Sequence, residues 1–217
     1  MKSILIIGIG RFGKHLALDF MELGNEVMVV DQDEAVLEGL TSHVTSVQIG
    51  DCKDENVMHS LGVNNFDLCF VTVSSDFQSS LEITSLLKEC GAKYVVAKAD
   101  RDIHAKFLLR NGADEIIYPE RDMARKASRR FSARNAFDYL ELTAEYAMFE
   151  IQTPASWVGK NLRELAVRTK YGINVIATKA DMKVTPLTKA DYVFKQDEHL
   201  VITGNQKEVV KVLEKLL

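Results

Sequence analysis

The residues with the clearest chemical potential are three glycines near the start of the sequence, Gly8, Gly10 and Gly13. They follow an unbroken apolar run at residues 4–7 and precede a stretch with helical periodicity. In such a strand–turn–helix unit the first glycine permits a tight turn and the second lets phosphates approach the backbone. The third lets the helix pack against the strand. The bare N–H groups at the helix start favour anions, so this spacing predicts a phosphate-binding loop.

A carboxylate lies at the distance from this loop that ribose binding requires. Asp31 ends the apolar run 26–30, and 31 − 13 = 18 residues separate it from Gly13, near the roughly 20 expected. Its carboxylate accepts hydrogen bonds from ribose hydroxyls and repels a 2′-phosphate. A glycine turn that binds nothing is the alternative, but the two features together favour a Rossmann-type nucleotide site.

The remaining apolar and turn patterns alternate between strand and helix through the first two thirds of the chain. Strands are predicted at residues 4–7, 26–30, 46–49, 67–73, 93–98 and 115–118, with helices between them. This order predicts an α/β fold, a doubly wound parallel sheet with right-handed crossovers. A ligand should lie across the carboxyl ends of strands one, two and four, touching Gly8, Asp31, Asp51, Val73 and Ser74.

A different pattern begins after a basic helix predicted from residue 119 to about 135, which is either a solvated face or a partner surface. Strands at 146–151, 173–178 and 200–203 look antiparallel, with helices at 161–168 and 206–217. The sequence therefore predicts a Rossmann domain at 1–118, a crossover and dimer-contact segment at 119–140, and a small α+β domain at 141–217.

Composition excludes several classes of protein. The chain has 217 residues, 47% of them hydrophobic and 27% charged, and a net charge of −4 that argues against nucleic-acid binding. Its three cysteines form no CxxC pair, which favours a reducing cytosol. No apolar run approaches the roughly 20 residues of a membrane span. We therefore expect a cytoplasmic protein.

The sequence after residue 140 lacks residues typical of catalysis. A dehydrogenase would need a proton donor beside the nicotinamide, yet this tail has a single histidine, His199, and contains neither a Tyr-x-x-x-Lys nor an HExxH motif. We therefore predict no catalytic residue and a sensor in which binding shifts a conformational equilibrium. A small NAD-dependent oxidoreductase is the alternative. A redox-sensing DNA regulator would need a winged helix and a basic recognition face.

Together these motifs resemble the RCK family, whose domains regulate potassium channels and transporters. The likeness is carried by the glycine loop, the acids Asp31 and Asp33, Gly50-Asp51, Lys98-Ala, and the run Asn-Gly-Ala-Asp-x-Ile-Ile-Tyr-Pro-Glu-Arg-Asp from residue 111. Residues 168–174 are similar to the second RCK subdomain, also called TrkA-C. One copy in this length is similar to the cytosolic subunits of Ktr-type transporters.

The resemblance implies a homo-oligomer in which dimers assemble into an octameric ring on the cytoplasmic face of a membrane. The ring would contact a dimeric, KtrB-like subunit that translocates K⁺. ATP would favour the conducting state and ADP the closed one, although some relatives bind NAD or NADH. The C-terminal domain would pair with a neighbour's, and in several relatives it binds cyclic di-AMP at that seam.

The resemblance and the loop chemistry together define the predicted cofactor-binding residues: Gly8, Gly10, Arg11, Phe12, Gly13, Asp31, Asp33, Asp51, Cys52, Val73, Ser74, Lys98 and Glu120. Arg11 would reach a γ-phosphate and so distinguish ATP from ADP. Glu120 near phosphate calls for a bridging cation such as Mg²⁺, or else it stabilises a helix start. Lys98 contacts ribose or phosphate, or else pairs with Asp100 or Asp102. Cyclic di-AMP contacts map onto Arg168, Asn174, Val175 and Pro186.

Overall fold

Continuous burial of β1 on both faces organises the first half of the molecule. Leu5 and Ile7 of β1 (Ser3–Ile7) pack into one cluster of buried residues, whereas Ile4 and Ile6 pack into a second cluster. Side chains alternate between the two faces of a strand, so an unbroken apolar run is what a central parallel strand needs. The computed structural model describes residues 1–73, 76–132, 136–143, 145–181, 183–187 and 189–216.

Six strands form one parallel sheet in the order β3-β2-β1-β4-β5-β6. This is the strand order of a Rossmann fold, and it confirms the predicted doubly wound α/β sheet. The strands after β1 are β2 (Glu26–Asp31), β3 (Ser46–Ile49), β4 (Leu68–Val71), β5 (Val95–Lys98) and β6 (Glu115–Ile117). The helices are α1 (Arg11–Glu22), α2 (Glu34–Leu37), α3 (Glu55–Ser60), α4 (Phe77–Glu89), α5 (Asp102–Arg110) and α6 (Pro119–Ser132), with a 3₁₀ turn at Val63–Asn65.

The chain divides into two compact units, Met1–Arg121 and Asp122–Leu217, so the division falls inside α6. The sequence-based limits 1–118, 119–140 and 141–217 stay predictions. Among the described residues, no helix combines the length and the apolar character that crossing a bilayer demands.

The second unit is built on an antiparallel sheet in the order β10-β9-β11-β8-β7. This architecture confirms the small α+β module. Its strands are β7 (Ala136–Glu141), β8 (Tyr146–Gln152), β9 (Ile173–Ala180), β10 (Lys183–Pro186) and β11 (His199–Asn205). Its helices are α7 (Leu162–Leu165), α8 (Val167–Tyr171) and α9 (Gln206–Leu216), with a 3₁₀ turn at Ala155–Trp157.

One face of this second sheet is covered by a core. Along β8, Ala147, Phe149 and Ile151 are buried, while Tyr146 and Gln152 are exposed at the strand ends. These buried side chains belong to a cluster that also contains the fully enclosed residues Trp157, Phe194, Ile173 and Leu200. This alternation is typical of an antiparallel sheet with one face on a core, and it agrees with the antiparallel strands that the sequence predicts.

Two details of the second unit differ from the sequence prediction. The single helix expected at 161–168 is wrong, because α7 and α8 are separate short helices that meet at Ala166. Ala166 has a φ of 46°, in the left-handed region that interrupts a helix. Strands β7 and β10 were not expected from the sequence.

Candidate functional site

The glycine loop connects β1 to α1, and two of its glycines are required by close packing. Gly8 has a φ of 93°, and a Cβ on it would lie 2.5 Å from Cγ2 of Val73. A Cβ on Gly13 would press against the carbonyl oxygen of Gly8 and lie 2.8 Å from Oγ1 of Thr72. A Cβ on Gly10, by contrast, would meet nothing within 4 Å. The open space beside Gly10 is what a phosphate approaching this backbone needs.

The first turn of α1 has backbone N–H groups that no side chain caps. Gly10 is the N-cap, and neither a side-chain cap nor an acidic residue is present in this turn. Helices α2, α3 and α4 instead begin with the capping carboxylates of Asp33, Asp54 and Asp76. Helix α5 also lacks a side-chain cap, but it has Asp102 in its first turn. Uncapped N–H groups at a helix start attract anions, so the start of α1 suits a phosphate, as the sequence predicts.

Asp31 at the end of β2 is tied to the glycine loop. Its Oδ2 accepts a hydrogen bond from the N–H of Ile9 at 2.6 Å, and its Oδ1 accepts one from the N–H of Asp33 at 3.0 Å. Asp33 in turn accepts from the N–H of Ala35 at 3.0 Å. Each carboxylate oxygen has further acceptor capacity, so Asp31 is held in place and can still accept a hydroxyl hydrogen bond.

A cavity of 780 Å³ opens over the carboxyl ends of the strands. Its walls contain nearly all of the predicted cofactor residues: Gly8, Gly10, Arg11, Phe12, Gly13, Asp31, Asp33, Asp51, Cys52, Val73, Lys98 and Glu120. Ser74 lies outside the described residues. The structure therefore brings together residues that are up to 112 positions apart (120 − 8 = 112); their role in binding a nucleotide stays a prediction.

The cavity wall also includes polar residues that sequence reasoning missed, among them Gln32, Lys53, Thr72, Asp76 and Ser79. Thr72 donates through Oγ1 to the carbonyl oxygens of Ile7 and Gly8, which braces the loop. Asp76 accepts from the hydroxyl of Ser79 at 2.6 Å and from its N–H at 3.2 Å, and these bonds lower the pKa of Asp76. An Asp three residues before a Ser is a helix-capping signal, and it could have located this part of the cavity wall from the sequence.

Lys98 and Glu120 form an ion pair inside the cavity. Nζ of Lys98 lies 2.7 Å from Oε1 of Glu120 and 3.8 Å from Oδ1 of Asp100. The hydrogen bond from Lys98 lowers the pKa of Glu120, with burial opposing it. The alternative that Lys98 pairs with Asp100 or Asp102 is confirmed for Asp100, whereas Asp102 pairs with Arg121 at 2.8 Å.

The cavity cysteine has the properties of a core residue. Cys52 is 3% exposed, and burial, together with the charges of Asp51 and Asp31, raises its pKa to about 12. Its thiol therefore remains protonated at neutral pH, when it is a weak nucleophile. Asp51 itself accepts from the N–H of Lys53 at 3.0 Å and lies 3.6 Å from its ammonium nitrogen.

A metal site at Glu120 remains a prediction. Across the described part of the chain, no group of three His, Cys, Asp or Glu side chains converges as a metal site would require. Glu120 has an exposed side chain, 68% accessible. It thus provides one carboxylate toward the cavity, next to the ammonium group of Lys98.

The predicted second-ligand residues all lie in the second unit. Arg168 on α8, Asn174 on β9 and Pro186 on β10 are exposed. Val175 is 8% exposed and belongs to the core of the unit. Neighbouring residues of a strand face opposite sides, so the Val175 side chain points away from the face that presents Asn174.

The strand order and the glycine loop define a Rossmann-type protein of the class that binds nucleotides at the carboxyl ends of its strands. Comparison with known families agrees with this class. The TrkA-N domain model matches residues 4–119 and the TrkA-C domain model matches residues 146–217. The chain belongs to the TrkA/RCK family.

Two similar proteins of Bacillus subtilis align along nearly the whole chain. The sequence is 36% identical to Ktr system potassium uptake protein C of Bacillus subtilis (strain 168), over 100% of this chain and 98% of that one. It is 32% identical to Ktr system potassium uptake protein A of the same organism, over 96% and 94%. The solved RCK domain of GsuK has a TM-score of 0.62 at 17% identity, covering 99% of this chain and 47% of that one, which supports the fold alone.

Proposed function

We propose that this protein is a nucleotide-binding regulatory subunit of a potassium uptake transporter. The observation that carries the proposal is the 36% identity to Ktr system potassium uptake protein C, which extends over both units. The alignment covers 98% of that relative, so nearly every part of the relative has an equivalent in this chain. Membership of a family with a shared two-unit organisation supports a shared role.

We propose ATP and ADP as the ligands of the cavity, with NAD and NADH as the alternative. The volume of 780 Å³ lies within the roughly 300–1,000 Å³ typical of small-molecule sites. Arg11, the first residue of α1, is exposed at the cavity wall. A guanidinium at this position would form a charge-assisted bond with the γ-phosphate of ATP that ADP cannot provide.

A divalent cation such as Mg²⁺ is part of this proposal. A carboxylate and a phosphate oxygen at about 4 Å repel each other by roughly 4 kcal/mol per charge pair at an effective dielectric near 20. Glu120 faces the cavity with an accessible carboxylate. Oxygen ligands from Glu120 and from phosphate suit Mg²⁺, which retains several waters in such sites.

The proposed assembly is an octameric ring of dimers at the cytoplasmic face of the membrane, bound to a KtrB-like subunit. Exchange of ADP for ATP biases the ring by the difference in their affinities for its two shapes, and about 5.5 kcal/mol moves a 1:99 equilibrium to 99:1. Shared by eight sites, this is less than about 1 kcal/mol per site, within the range of one charge-assisted hydrogen bond. Residues 119–140 are the proposed dimer contact, and Met123 on α6 is 63% exposed.

The test combines ligand identification with transport. The purified chain is analysed by mass spectrometry for retained nucleotides and by light scattering for ring size. It is then added to vesicles containing a KtrB-like subunit, and K⁺ uptake is measured with ATP and with ADP. We expect a bound adenine nucleotide, an octamer, and faster uptake with ATP. Uptake that does not respond to the chain would refute the proposal.

The alternative function, a small NAD-dependent oxidoreductase, is tested separately. It predicts turnover of the nicotinamide, which is followed as a change in absorbance at 340 nm with candidate substrates. We expect no such change, since regulation by binding consumes no cofactor. Steady oxidation of NADH by the purified chain would establish the enzyme instead.

A further inference from the structure

The cavity that we propose for a nucleotide carries more negative than positive side chains. Because the phosphates are themselves anionic, a ligand must overcome this excess or find a cation that becomes available as it binds. The carboxylates in the cavity wall are Asp31, Asp33, Asp51, Asp76 and Glu120, and the cations are Arg11, Lys53 and Lys98.

Two of these cations already have acidic partners. Lys53 lies 3.6 Å from Asp51, and Lys98 lies 2.7 Å from Glu120. The second pair is the shorter one and is also hydrogen bonded. A phosphate that approaches Lys98 therefore meets a charge that is already neutralised, and it must compete with the Glu120 carboxylate.

The two members of this pair differ in how easily they can move. The side chain of Lys98, at the end of β5, is 11% exposed, whereas that of Glu120 is 68% exposed. The buried lysine is held in place by its surroundings, but the glutamate can rotate into solvent. Exchange of partners would thus move the carboxylate and leave the ammonium group at the cavity wall.

The backbone that carries Glu120 has an anchor of its own. The next residue, Arg121, donates to Oδ1 of Asp102 at 2.8 Å, and its guanidinium carbon lies 3.3 Å from the centroid of the Tyr118 ring. The Tyr118 hydroxyl donates to the same Asp102 oxygen at 3.0 Å. The first turn of α6 can therefore stay attached to α5 while the Glu120 side chain leaves Lys98.

We propose that the Lys98–Glu120 ion pair is a lock that the phosphate chain of the ligand opens by taking Lys98 from Glu120. This inference rests on the proposed nucleotide site and adds how that site selects its ligand. Ligands with several phosphates supply the charge that displaces Glu120, and adenosine does not. Glu120 thus acts against phosphate binding in the absence of a divalent cation, and Lys98 is the residue that detects the phosphate chain.

The experiment is isothermal titration of the full chain with ATP, ADP and adenosine in buffer with EDTA, so that no divalent cation takes part. Glu120→Gln removes the nearer of the two carboxylates that pair with Lys98, the one that competes with phosphate for it. Because partly exposed ion pairs contribute modestly, we expect ATP to bind about fivefold tighter to this variant, and adenosine to bind unchanged. Glu115→Gln, the same charge change on an exposed residue outside the cavity wall, should leave all three affinities unchanged.

A double variant isolates the role of Lys98. Adding Lys98→Met to Glu120→Gln should abolish the gain in ATP affinity, because the gain depends on the Lys98 ammonium group that Glu120 no longer occupies. ATP that binds E120Q equally or more weakly than wild type, while adenosine binding is kept, would overturn the lock. A wild-type chain that binds none of the three ligands would instead remove the proposed nucleotide site, and the lock with it.

Discussion

The carboxylate of Asp31 accepts a hydrogen bond from the backbone N–H of Ile9 at 2.6 Å, and it thereby joins the end of β2 to the glycine loop after β1. The two residues are 22 positions apart in sequence; Asp31 ends β2, and Ile9 follows β1, the strand that pairs with β2 in parallel. A residue that the sequence assigned to ribose therefore also fixes the backbone over which the phosphates would lie. The predicted ribose-binding residue and the predicted phosphate-binding loop are thus joined by a direct hydrogen bond.

Replacing Asp31 with Asn tests this connection. Asparagine retains one carbonyl acceptor but cannot serve both backbone N–H groups and a ribose hydroxyl as a carboxylate does. Hydrogen bonds to charged groups contribute about 1.5–3 kcal/mol, so adenine nucleotides should bind roughly 10- to 150-fold more weakly. Isothermal titration measures the change. Asp19→Asn on the exposed face of α1 is the matched control, and equal affinities for the two variants would contradict the assignment.

Gly13 and Gly10 should separate folding from binding. A methyl group at Gly13 would press on Gly8 and Thr72, so Gly13→Ala should destabilise the chain by about 1–3 kcal/mol. Gly10→Ala has open space around it and should cost less than about 1 kcal/mol as a change of N-cap. Its methyl group would nevertheless stand where phosphate approaches, so nucleotide affinity should fall.

Urea denaturation and nucleotide titration of both glycine variants give the answer. If Gly10→Ala binds ATP as wild type does, the phosphates do not lie over this loop. If instead both variants lose the same free energy of unfolding, the difference in packing between Gly10 and Gly13 does not decide which glycine can be replaced.

The sheet of the first unit could be predicted because parallel strands covered on both faces leave continuous apolar runs. The predicted end of β4 was less accurate: the expected strand ran to Val73, whereas β4 ends at Val71. Beyond this end, the hydroxyl of Thr72 donates to the carbonyl oxygens of Ile7 and Gly8. That contact is tertiary, so apolar periodicity contains no trace of it.

The second unit was harder to predict for local reasons. Ala166 separates α7 from α8 with a positive φ, although neither glycine nor proline marks the break. All four residues of β10 (Lys183–Pro186) are exposed, so no apolar alternation signals a strand. In the cavity, the pairing of Lys98 with Glu120 joins residues 22 positions apart; that choice of partner depends on how β5 and α6 are placed by the fold.

A buried histidine makes stability depend on pH. Nε2 of His104 on α5 lies 2.8 Å from the hydroxyl oxygen of Ser80 on α4, and His104 is 2% exposed. Burial lowers the pKa of His104 below its ordinary value of 6.5; Arg101 adds to this effect and Asp100 opposes it. The folded chain therefore resists protonation that the unfolded chain accepts.

The contribution of neutral His104 to the free energy of unfolding should accordingly be fully present above pH 6.5 and fall as the pH drops below that value. Between that value and the folded pKa the unfolded state binds up to one more proton, so the loss is at most about 1.4 kcal/mol per pH unit. His104→Gln keeps an amide donor for Ser80 and does not titrate. Urea denaturation of both proteins between pH 7.5 and 5 gives the free energy of unfolding at each pH. Plotted against pH, the values for the two proteins should converge or cross as the pH falls, and parallel plots would contradict the assignment.

Asn174 offers the sharpest test of a second ligand, cyclic di-AMP, in the second unit. Its side chain is exposed on β9, whereas Val175 beside it is buried in the core, so a ligand on this face would contact Asn174 directly and Val175 through its backbone. We expect Asn174→Ala to weaken cyclic di-AMP binding by roughly tenfold, as the loss of a polar contact or two implies. Lys207→Gln on the exposed start of α9 is the control. If titration of the wild-type chain with micromolar cyclic di-AMP gives no heat, this ligand is excluded, and with it the predicted contacts of the exposed Arg168 and Pro186.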